Sequence, residues 1–172
     1  ICESLNPVME TKTTEVMTMP LPESNGHLSS AAAGTVRSVL DKYDAVLIGP
    51  GLGRSADVSE TVRTVLLNSK STVIVDADAI NIISKNKEIL SECSCNLIFT
   101  PHAMEMSRLT GLDIAYIKEN RLTVSREFAE EYGATIILKG HHTVVTAPNL
   151  TQYINITGNS GLAKGGSGDV LA

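Results

Sequence analysis

The sequence predicts an α/β domain in which helices flank a doubly wound, mainly parallel β-sheet. Four short runs, DAVLIG (44–49), TVIVD (72–76), NLIFT (96–100) and ATIILK (134–139), are apolar or β-branched nearly throughout. Such runs are typical of strands buried on both faces of a parallel sheet. Segments with helical periodicity lie between them, and this alternation of strand and helix is the pattern of doubly wound folds.

Three helices can be placed from the spacing of their apolar residues. Apolar side chains within 58–66 recur at i, i+4, i+7 and i+8, so they form one stripe on a helix. Ser29 is the expected cap of an earlier helix that runs through Leu40. The apolar residues of 114–128 predict one longer helix that ends near Gly133.

The pattern changes after the fourth run. VVTAP (144–148) and QYINIT (152–157) are short strands separated by a Pro-Asn turn, which predicts an antiparallel edge attached to the sheet. In doubly wound folds, ligands bind at the carboxyl ends of the strands. The residues that follow each strand are therefore the candidates for function.

Composition limits the class of protein. The chain has 172 residues, of which 42% are hydrophobic, and this suits a single domain over 1–172. A net charge of -5 without long runs of Lys or Arg disfavours binding to nucleic acid or to an anionic membrane surface. No stretch is long enough to span a membrane and the first residues lack a signal sequence, so we expect a cytoplasmic protein.

Two further features concern cysteines and chain ends. The three cysteines lack the CxxC spacing of zinc and thioredoxin-like sites, which indicates ordinary reduced thiols. The chain lacks an initiating Met and ends at Ala172 inside a predicted helix. We therefore expect an incomplete domain, truncated at both ends.

Five polar or glycine-rich stretches follow strands and should meet at one edge of the sheet. They are GPGLGRS (49–55), DADA (76–79), TPHAME (100–105), KGHHT (139–143) and GGSGD (165–169).

The first of these stretches permits two interpretations. Gly51, Gly53 and Ala56 fit the dinucleotide-binding pattern GxGxxG/A, and Asp76 lies near the required distance downstream. A tight turn that needs glycine for positive φ explains the same residues. The Walker version of a phosphate loop is excluded, because no GK[ST] follows.

Four polar residues follow the second and third strands. Asp78 is the expected cap of a helix that starts at Ala79, whereas Asp76 should face the binding crevice, where it could contact a magnesium ion or a substrate hydroxyl. His102 and Glu105 are three apart, so they are neighbours on the first turn of a helix. Glu105 could cap that helix or belong to the site.

The last two stretches suggest anion binding. Lys139 ends a strand, where it is either a solvent-exposed lysine or a phosphate contact. The run 158–169 contains more glycine than a helix cap needs and leads into a helix, and helix N-termini attract anions. Asp169 places a carboxylate among these donors, which a simple phosphate site would not require.

Taken together and in this order, GPGLG, VDADA, TPHxxEM, LKGxxT and GNSGLAKGGSGD resemble the ADP/ATP-dependent NAD(P)H-hydrate dehydratase family, which has a ribokinase-like fold. The resemblance extends from Asp44 onward. It implies a catalytic domain that removes water from NADH or NADPH hydrated at C6 of the nicotinamide ring, using ADP or ATP and Mg2+. It also implies a homo-oligomer, a tetramer in related proteins, and a fused or separate epimerase as a partner.

The resemblance assigns roles to individual residues. Asp169 would be the catalytic base that activates the C6 hydroxyl, and Gly53, His102 and Asp169 would bind the hydrated substrate. Glu105 occupies the position of an indirect, magnesium-linked Glu in related kinases, and many members have Gly where Met104 stands here. The positions implied to bind nucleotide are Lys139, Gly140, His141, His142, Thr143, Asn159, Gly161, Gly165, Gly166, Ser167 and Gly168.

Three alternatives remain open at the level of sequence. One is a kinase of the same fold that acts on a vitamin-precursor alcohol, although such kinases tend to have Asn where His102 stands. Another is a nucleotide-binding regulatory module without catalytic activity. A Rossmann dehydrogenase is the third, and it would make the glycine-rich run at 158–169 coincidental.

Overall fold

A computed structural model describes residues 1–171, apart from the side chains of Leu162 and Asp169. Ala172 lies outside the described residues. The strands of this part of the chain are β1 (Glu23–Ser24), β2 (His27–Leu28), β3 (Ala45–Ile48), β4 (Thr72–Val75), β5 (Leu97–Phe99), β6 (Thr135–Leu138), β7 (Val144–Thr146) and β8 (Gln152–Ile154). The helices are α1 (Asn6–Lys12), α2 (Ser30–Arg37), α3 (Ala56–Asn68), α4 (Ala77–Ile83), α5 (Ala103–Thr110), α6 (Ile114–Glu119), α7 (Arg121–Tyr132) and α8 (Ser167–Leu171).

The main sheet has the order β3-β4-β5-β6-β7-β8 within residues 1–171. Strands β3 to β6 pair in parallel, whereas β7 and β8 are antiparallel to their neighbours. The predicted α/β fold with a mainly parallel sheet and an antiparallel edge is therefore confirmed. Because parallel strands all end on the same side, the loops after β3, β4, β5 and β6 lie along one edge.

The hydrophobic core lies between the sheet and its helices. The predicted apolar stripe on α3 is confirmed, because Val58, Val62, Val65 and Leu66 are all buried. Helix α7 packs against β6 and β7, and Phe128 on this helix meets Phe99 of β5 edge to face at 5.5 Å. These contacts fix α7 next to the strand that leads into residues 139–143.

Burial of the strands differs from the prediction. Residues of β4 alternate between fully and partly buried positions, and Leu47 of β3 is 46% exposed. The expectation of complete burial on both faces is thus wrong for this part of the chain. Since β3 is an edge strand of the sheet in residues 1–171, its side chains have a neighbouring strand on one side.

Two helices differ from their predicted bounds. The single long helix is interrupted at Asn120, whose φ of -117° and ψ of 33° are not helical, so α6 and α7 are separate. Asparagine disfavours a helix interior because its side chain competes for main-chain hydrogen bonds, and here Asn120 Nδ2 donates to Tyr116 O. The predicted end at Gly133 is confirmed by its left-handed φ of 60°. The helix that follows Ser29 ends at Arg37, and a separate 3₁₀ turn covers Leu40–Lys42.

No helix within residues 1–171 combines the length and the hydropathy that a membrane span requires.

Candidate active site

The loop after β3 is held by the first residues of α4. Gly49 has a φ of 130°, and a Cβ at this position would collide with the main-chain oxygen of Asp76, so only glycine fits. Gly53 N–H donates to Asp78 Oδ2 at 3.0 Å, and Arg54 Nε contacts Asp78 Oδ1 at 3.1 Å. The carboxylate of Asp78 thus connects the ends of β3 and β4.

The prediction that Asp78 caps a helix starting at Ala79 is wrong. The N–H of Ala79 already donates to Asp76 O at 3.1 Å, so the first turn closes earlier and α4 begins at Ala77. Asp76 occupies the cap position, but its side chain makes no capping hydrogen bond. Both carboxylates are therefore directed to partners outside the helix.

Asp76 forms an ion pair with Lys139. Lys139 Nζ lies 2.8 Å from Asp76 Oδ1, and the two side chains are 18% and 3% exposed, respectively. A methyl group added at Gly168 would lie 3.8 Å from the same Nζ, so the amine also borders the first turn of α8. Of the two alternatives for Lys139, the solvent-exposed lysine is wrong. Asp76 neutralises a cation, which leaves it less suited to be a magnesium ligand.

His102 and Glu105 form a capping box at the start of α5. His102 Nδ1 accepts from Glu105 N–H at 3.2 Å, and Glu105 Oε2 accepts from His102 N–H at 2.9 Å. The imidazole stays half exposed, whereas the carboxylate is 7% exposed. Capping by Glu105 is confirmed, and the role of His102 in substrate binding stays a prediction. Met104 is 49% exposed, so its side chain does not occupy the core.

Residues 139–143 form a loop next to the junction of α6 and α7. Thr143 Oγ1 donates to Gly140 O at 3.1 Å and narrows the loop. The rings of His141 and His142 lie against each other, tilted by 46° with centroids 3.8 Å apart. Both histidines line a cavity of about 480 Å³ that residues 118–123 close from the other side. The predicted nucleotide-binding loop therefore borders a concave surface.

The glycine-rich run lies at the surface and leads into α8. Asn159 Oδ1 accepts from Gly161 N–H at 2.9 Å, and Ser167 Oγ donates to Lys164 O at 2.8 Å. Gly158 and Gly166 have positive φ, as a loop that folds back on itself requires. The side chain of Asp169 lies outside the described residues, so its assignment as catalytic base stays a prediction.

Hydrogen bonds and an ion pair join four of the five stretches that the sequence predicted to meet, and the fifth lies beside them. Gly53 contacts Asp78, Asp76 pairs with Lys139, and Lys139 N–H donates to Pro101 O at 2.8 Å. Lys139 is therefore the point where the loops after β4, β5 and β6 meet, with the start of α8 beside its amine.

Two residues near this edge were not found by sequence analysis. His27 Nδ1 lies 3.3 Å from the position that a Cβ of Gly53 would occupy. Arg121 Nη2 donates to Leu138 O, directly before Lys139, and burial lowers the pKa of its guanidinium. His27 belongs to a two-residue strand without a functional motif. Arg121 carries one weak signal, a cation at the start of a helix, where the dipole disfavours it.

A direct metal site is not evident in the described residues. No group of three His, Cys, Asp or Glu side chains lies close enough to hold an ion. Glu105 is engaged by its own helix, as described above. At this edge, residues 1–171 thus contain the ion pair of Asp76 and Lys139 rather than a cage of carboxylates.

The fold and the site define a class: an α/β protein with a mainly parallel sheet, whose candidate site lies at the carboxyl ends of the parallel strands. Comparison with known proteins identifies the family. The family model described as NAD(P)H-hydrate dehydratase matches residues 3–172, and the chain belongs to this family.

Individual relatives agree with this placement. The chain is 41% identical over 165 residues to the bifunctional NAD(P)H-hydrate repair enzyme of Moorella thermoacetica, covering 95% of this chain and 31% of that protein. It resembles the ADP/ATP-dependent NAD(P)H-hydrate dehydratase of Bacillus subtilis co-crystallized with ATP/Mg2+ and soaked with CoA, with TM-score 0.77 and 29% identity. That match covers 99% of this chain and 58% of the other.

The ribokinase-like fold is also confirmed. A ribokinase-like superfamily protein from Enterococcus faecalis has TM-score 0.68 and 32% identity, over 83% of this chain and 49% of that one. The chain thus spans about a third to about three-fifths of the proteins it matches here.

Proposed function

We propose that this protein removes water from hydrated NADH and NADPH in a reaction that consumes ADP or ATP, with residues 1–172 forming part of a single catalytic domain. The ion pair beside the glycine-rich run is the observation that carries the proposal. Lys139 Nζ is fixed by Asp76 and borders Gly168, so a cation stands where a transferred phosphoryl group would meet the N–H groups of α8. The Bacillus relative is named as an ADP/ATP-dependent NAD(P)H-hydrate dehydratase, and the Moorella relative as an NAD(P)H-hydrate repair enzyme.

Nucleotide would bind along the edge formed by residues 139–143 and 159–168. Lys139 supplies positive charge, and the glycine positions let main-chain N–H groups approach phosphate oxygens closely. The Bacillus relative was crystallised with ATP and Mg2+. Because the described residues contain no ready metal cage, we propose that Mg2+ is held mainly by nucleotide phosphates, with Glu105 acting indirectly.

The first chemical step in this proposal is phosphoryl transfer. The hydrated nicotinamide would bind near Gly53 and His102, with its C6 hydroxyl directed at the terminal phosphorus of the nucleotide. Asp169 accepts the hydroxyl proton as the oxygen attacks phosphorus. The bond from that phosphorus to the nucleotide breaks, and the electron pair leaves with AMP from ADP or with ADP from ATP.

The second step is elimination, which needs no further reactant. The lone pair of the ring nitrogen expels phosphate from C6, so the C–O bond breaks and an iminium forms. Loss of a proton from C5 then restores the dihydropyridine ring. Phosphorylation therefore converts a poor leaving group, hydroxide, into a good one.

The partners follow from the same chemistry. Addition of water at C6 creates a stereocentre, so a stereospecific site needs an epimerase, fused or separate, to use both hydrates. The Moorella relative is named as bifunctional. We propose that the protein works in the cytoplasm, where NADH and NADPH are abundant. We also propose that it forms a homo-oligomer.

The test uses the purified protein with hydrated NADH, MgCl2 and either ADP or ATP. We expect the absorbance of NADH to recover only when nucleotide is present, and Asp169→Asn to abolish recovery while it keeps nucleotide binding. Asp113→Asn is the matched control, because Asp113 caps α6 with an exposed side chain, has no assigned role in the site, and can be replaced by Asn without loss of the cap. Nucleotide binding without recovery in the unmodified protein would refute the proposal and favour phosphorylation of an alcohol.

A further inference from the structure

Arg121 contacts the strand end that leads into the predicted nucleotide-binding loop. Its Nη2 donates to Leu138 O at 2.5 Å, one residue before Lys139. Its guanidinium also covers Gly140, where a Cβ would collide with Nη1. Gly140 has a φ of 151°, which glycine adopts without strain. It also lacks the side chain that would displace the guanidinium. One side chain therefore contacts two of the three residues 138–140.

The position of Arg121 is unfavourable for local stability. It is the first residue of α7, where the helix dipole disfavours a cation. Its Nε is buried and has no hydrogen-bond partner among the described residues, which adds a further cost. Burial also lowers the pKa of the guanidinium, so the charged form is less favoured than in water. For the stability of α7 alone, an uncharged or acidic residue would be more favourable at this position than arginine.

The interruption of the helix at Asn120 explains how Arg121 reaches the loop. In a continuous helix through 114–132, residue 121 would lie in the helix interior. Because α7 starts separately, Arg121 is its first residue, and its side chain reaches the end of β6. His141 and His142, further along the loop, are exposed and contact each other. Arg121 of α7 thus holds the start of the loop, while the exposed histidines at its tip can contact a ligand.

We propose that Arg121 is a positioning residue for nucleotide binding. By fixing the main chain at Leu138 and Gly140, it sets the direction of the 139–143 loop and of the Lys139 side chain. Arginine is required because Nη2 binds Leu138 O while the rest of the same planar group lies over Gly140, and the single amine of lysine cannot do both. The inference rests on the proposed function only in that the protein uses ADP or ATP.

The first test measures binding of ADP and of ATP, each with Mg2+, by calorimetry without the hydrated substrate. Arg121→Lys and Arg121→Ala should each weaken nucleotide binding about tenfold, because a charge-assisted hydrogen bond and the cover over Gly140 are lost. The KM for nucleotide should rise by a similar factor while the KM for hydrated NADH stays within about twofold. Arg126→Lys is the matched control, since Arg126 lies on the same helix and contacts Gln152 at the surface.

Affinity equal to that of the unmodified protein in Arg121→Lys would overturn the proposal, since charge alone would then suffice. An equal rise in both KM values would also overturn it, because it would indicate general damage to the site. A second test remains informative if Arg121→Ala folds poorly. Gly140→Ala should weaken nucleotide binding by displacing the guanidinium, and combining it with Arg121→Lys should add little. Fully additive losses would show that the two residues act independently.

These outcomes separate the inference from the proposed function. An unmodified protein that binds nucleotide but does not restore NADH would refute the dehydratase, and the Arg121 variants would still be judged by binding. An unmodified protein that binds neither ADP nor ATP would refute both.

Discussion

Replacing Asp76 by Asn tests whether the ion pair at the edge of the sheet stabilises the fold. The substitution keeps the shape of the side chain but removes its charge, so Lys139 is left with a buried amine beside a neutral amide. Asp76 and Lys139 are 3% and 18% exposed, and their charged atoms are 2.8 Å apart. Removing one member of a buried pair costs about 3–5 kcal/mol. Because Lys139 keeps some contact with water, we expect the lower end, about 3 kcal/mol.

A pair at the surface provides the comparison. Lys70 and Asp41 lie 3.2 Å apart, but their side chains are 80% and 68% exposed. Exposed pairs contribute about 0–1 kcal/mol, since water and salt screen both charges. Asp41→Asn should therefore change the free energy of unfolding by less than about 1 kcal/mol.

The assay is urea unfolding of Asp76→Asn, Lys139→Met and the double variant, analysed as a double-mutant cycle. Each single variant leaves one buried charge without its partner, whereas the double variant leaves none. The sum of the two single losses in the free energy of unfolding should therefore exceed the loss in the double variant by about 2 kcal/mol or more. A coupling energy below about 0.5 kcal/mol, or one equal to that of the surface pair, would refute the idea that burial makes this pair important.

Three further predictions concern a loop, a helix start and a pair of thiols. Gly49→Ala should lower the free energy of unfolding by about 3 kcal/mol or more, because its φ is positive and its Cβ would collide with the main chain. Gly51→Ala has free space around the Cβ and should lower it by about 1 kcal/mol. Equal losses of the two variants in urea unfolding would contradict this. His102→Ala should cost about 1 kcal/mol of stability in the same assay and His102→Asn much less, because Asn still caps α5; equal losses would mean that the cap contributes nothing. A hydrogen bond from Cys93 lowers the pKa of Cys95 to about 7. The alkylation rate of Cys95 should therefore reach half its maximum near that pH, and Cys93→Ala should move this midpoint upward. An unchanged midpoint would rule out the hydrogen bond as the cause.

Features with a local cause could be predicted from sequence. The apolar runs located the four parallel strands along the chain, because strands inside a sheet need such residues regardless of distant contacts. The left-handed end of α7 at Gly133 was predicted for a similar reason, since glycine adopts that conformation without strain. The meeting of the loops after β3, β4, β5 and β6 followed from the rule that parallel strands end at one edge. The rule does not apply to the glycine-rich run, which follows the antiparallel strand β8.

Features that depend on distant partners could not be predicted. The ion pair joins residues 63 positions apart, and nothing in DADA or in LKG specifies the other. Asp78 was assigned to a cap because that assignment uses only neighbouring residues, whereas its actual partner, Gly53, lies 25 positions earlier. Arg121 was missed for the same reason, since its contact at Leu138 depends on how α7 packs on the sheet.

The capping box at α5 limits which side chains position 102 can carry in this protein. Position 102 must present a side-chain atom that accepts a hydrogen bond from the main chain, because otherwise the helix start loses its anchor. Asparagine, which vitamin-precursor kinases tend to carry at this position, meets the same requirement. An exchange between His and Asn therefore replaces a half-exposed imidazole by an amide while α5 stays in place. With the proposed role of His102 in substrate binding, one substitution at position 102 would change the chemistry of the site and leave the scaffold intact.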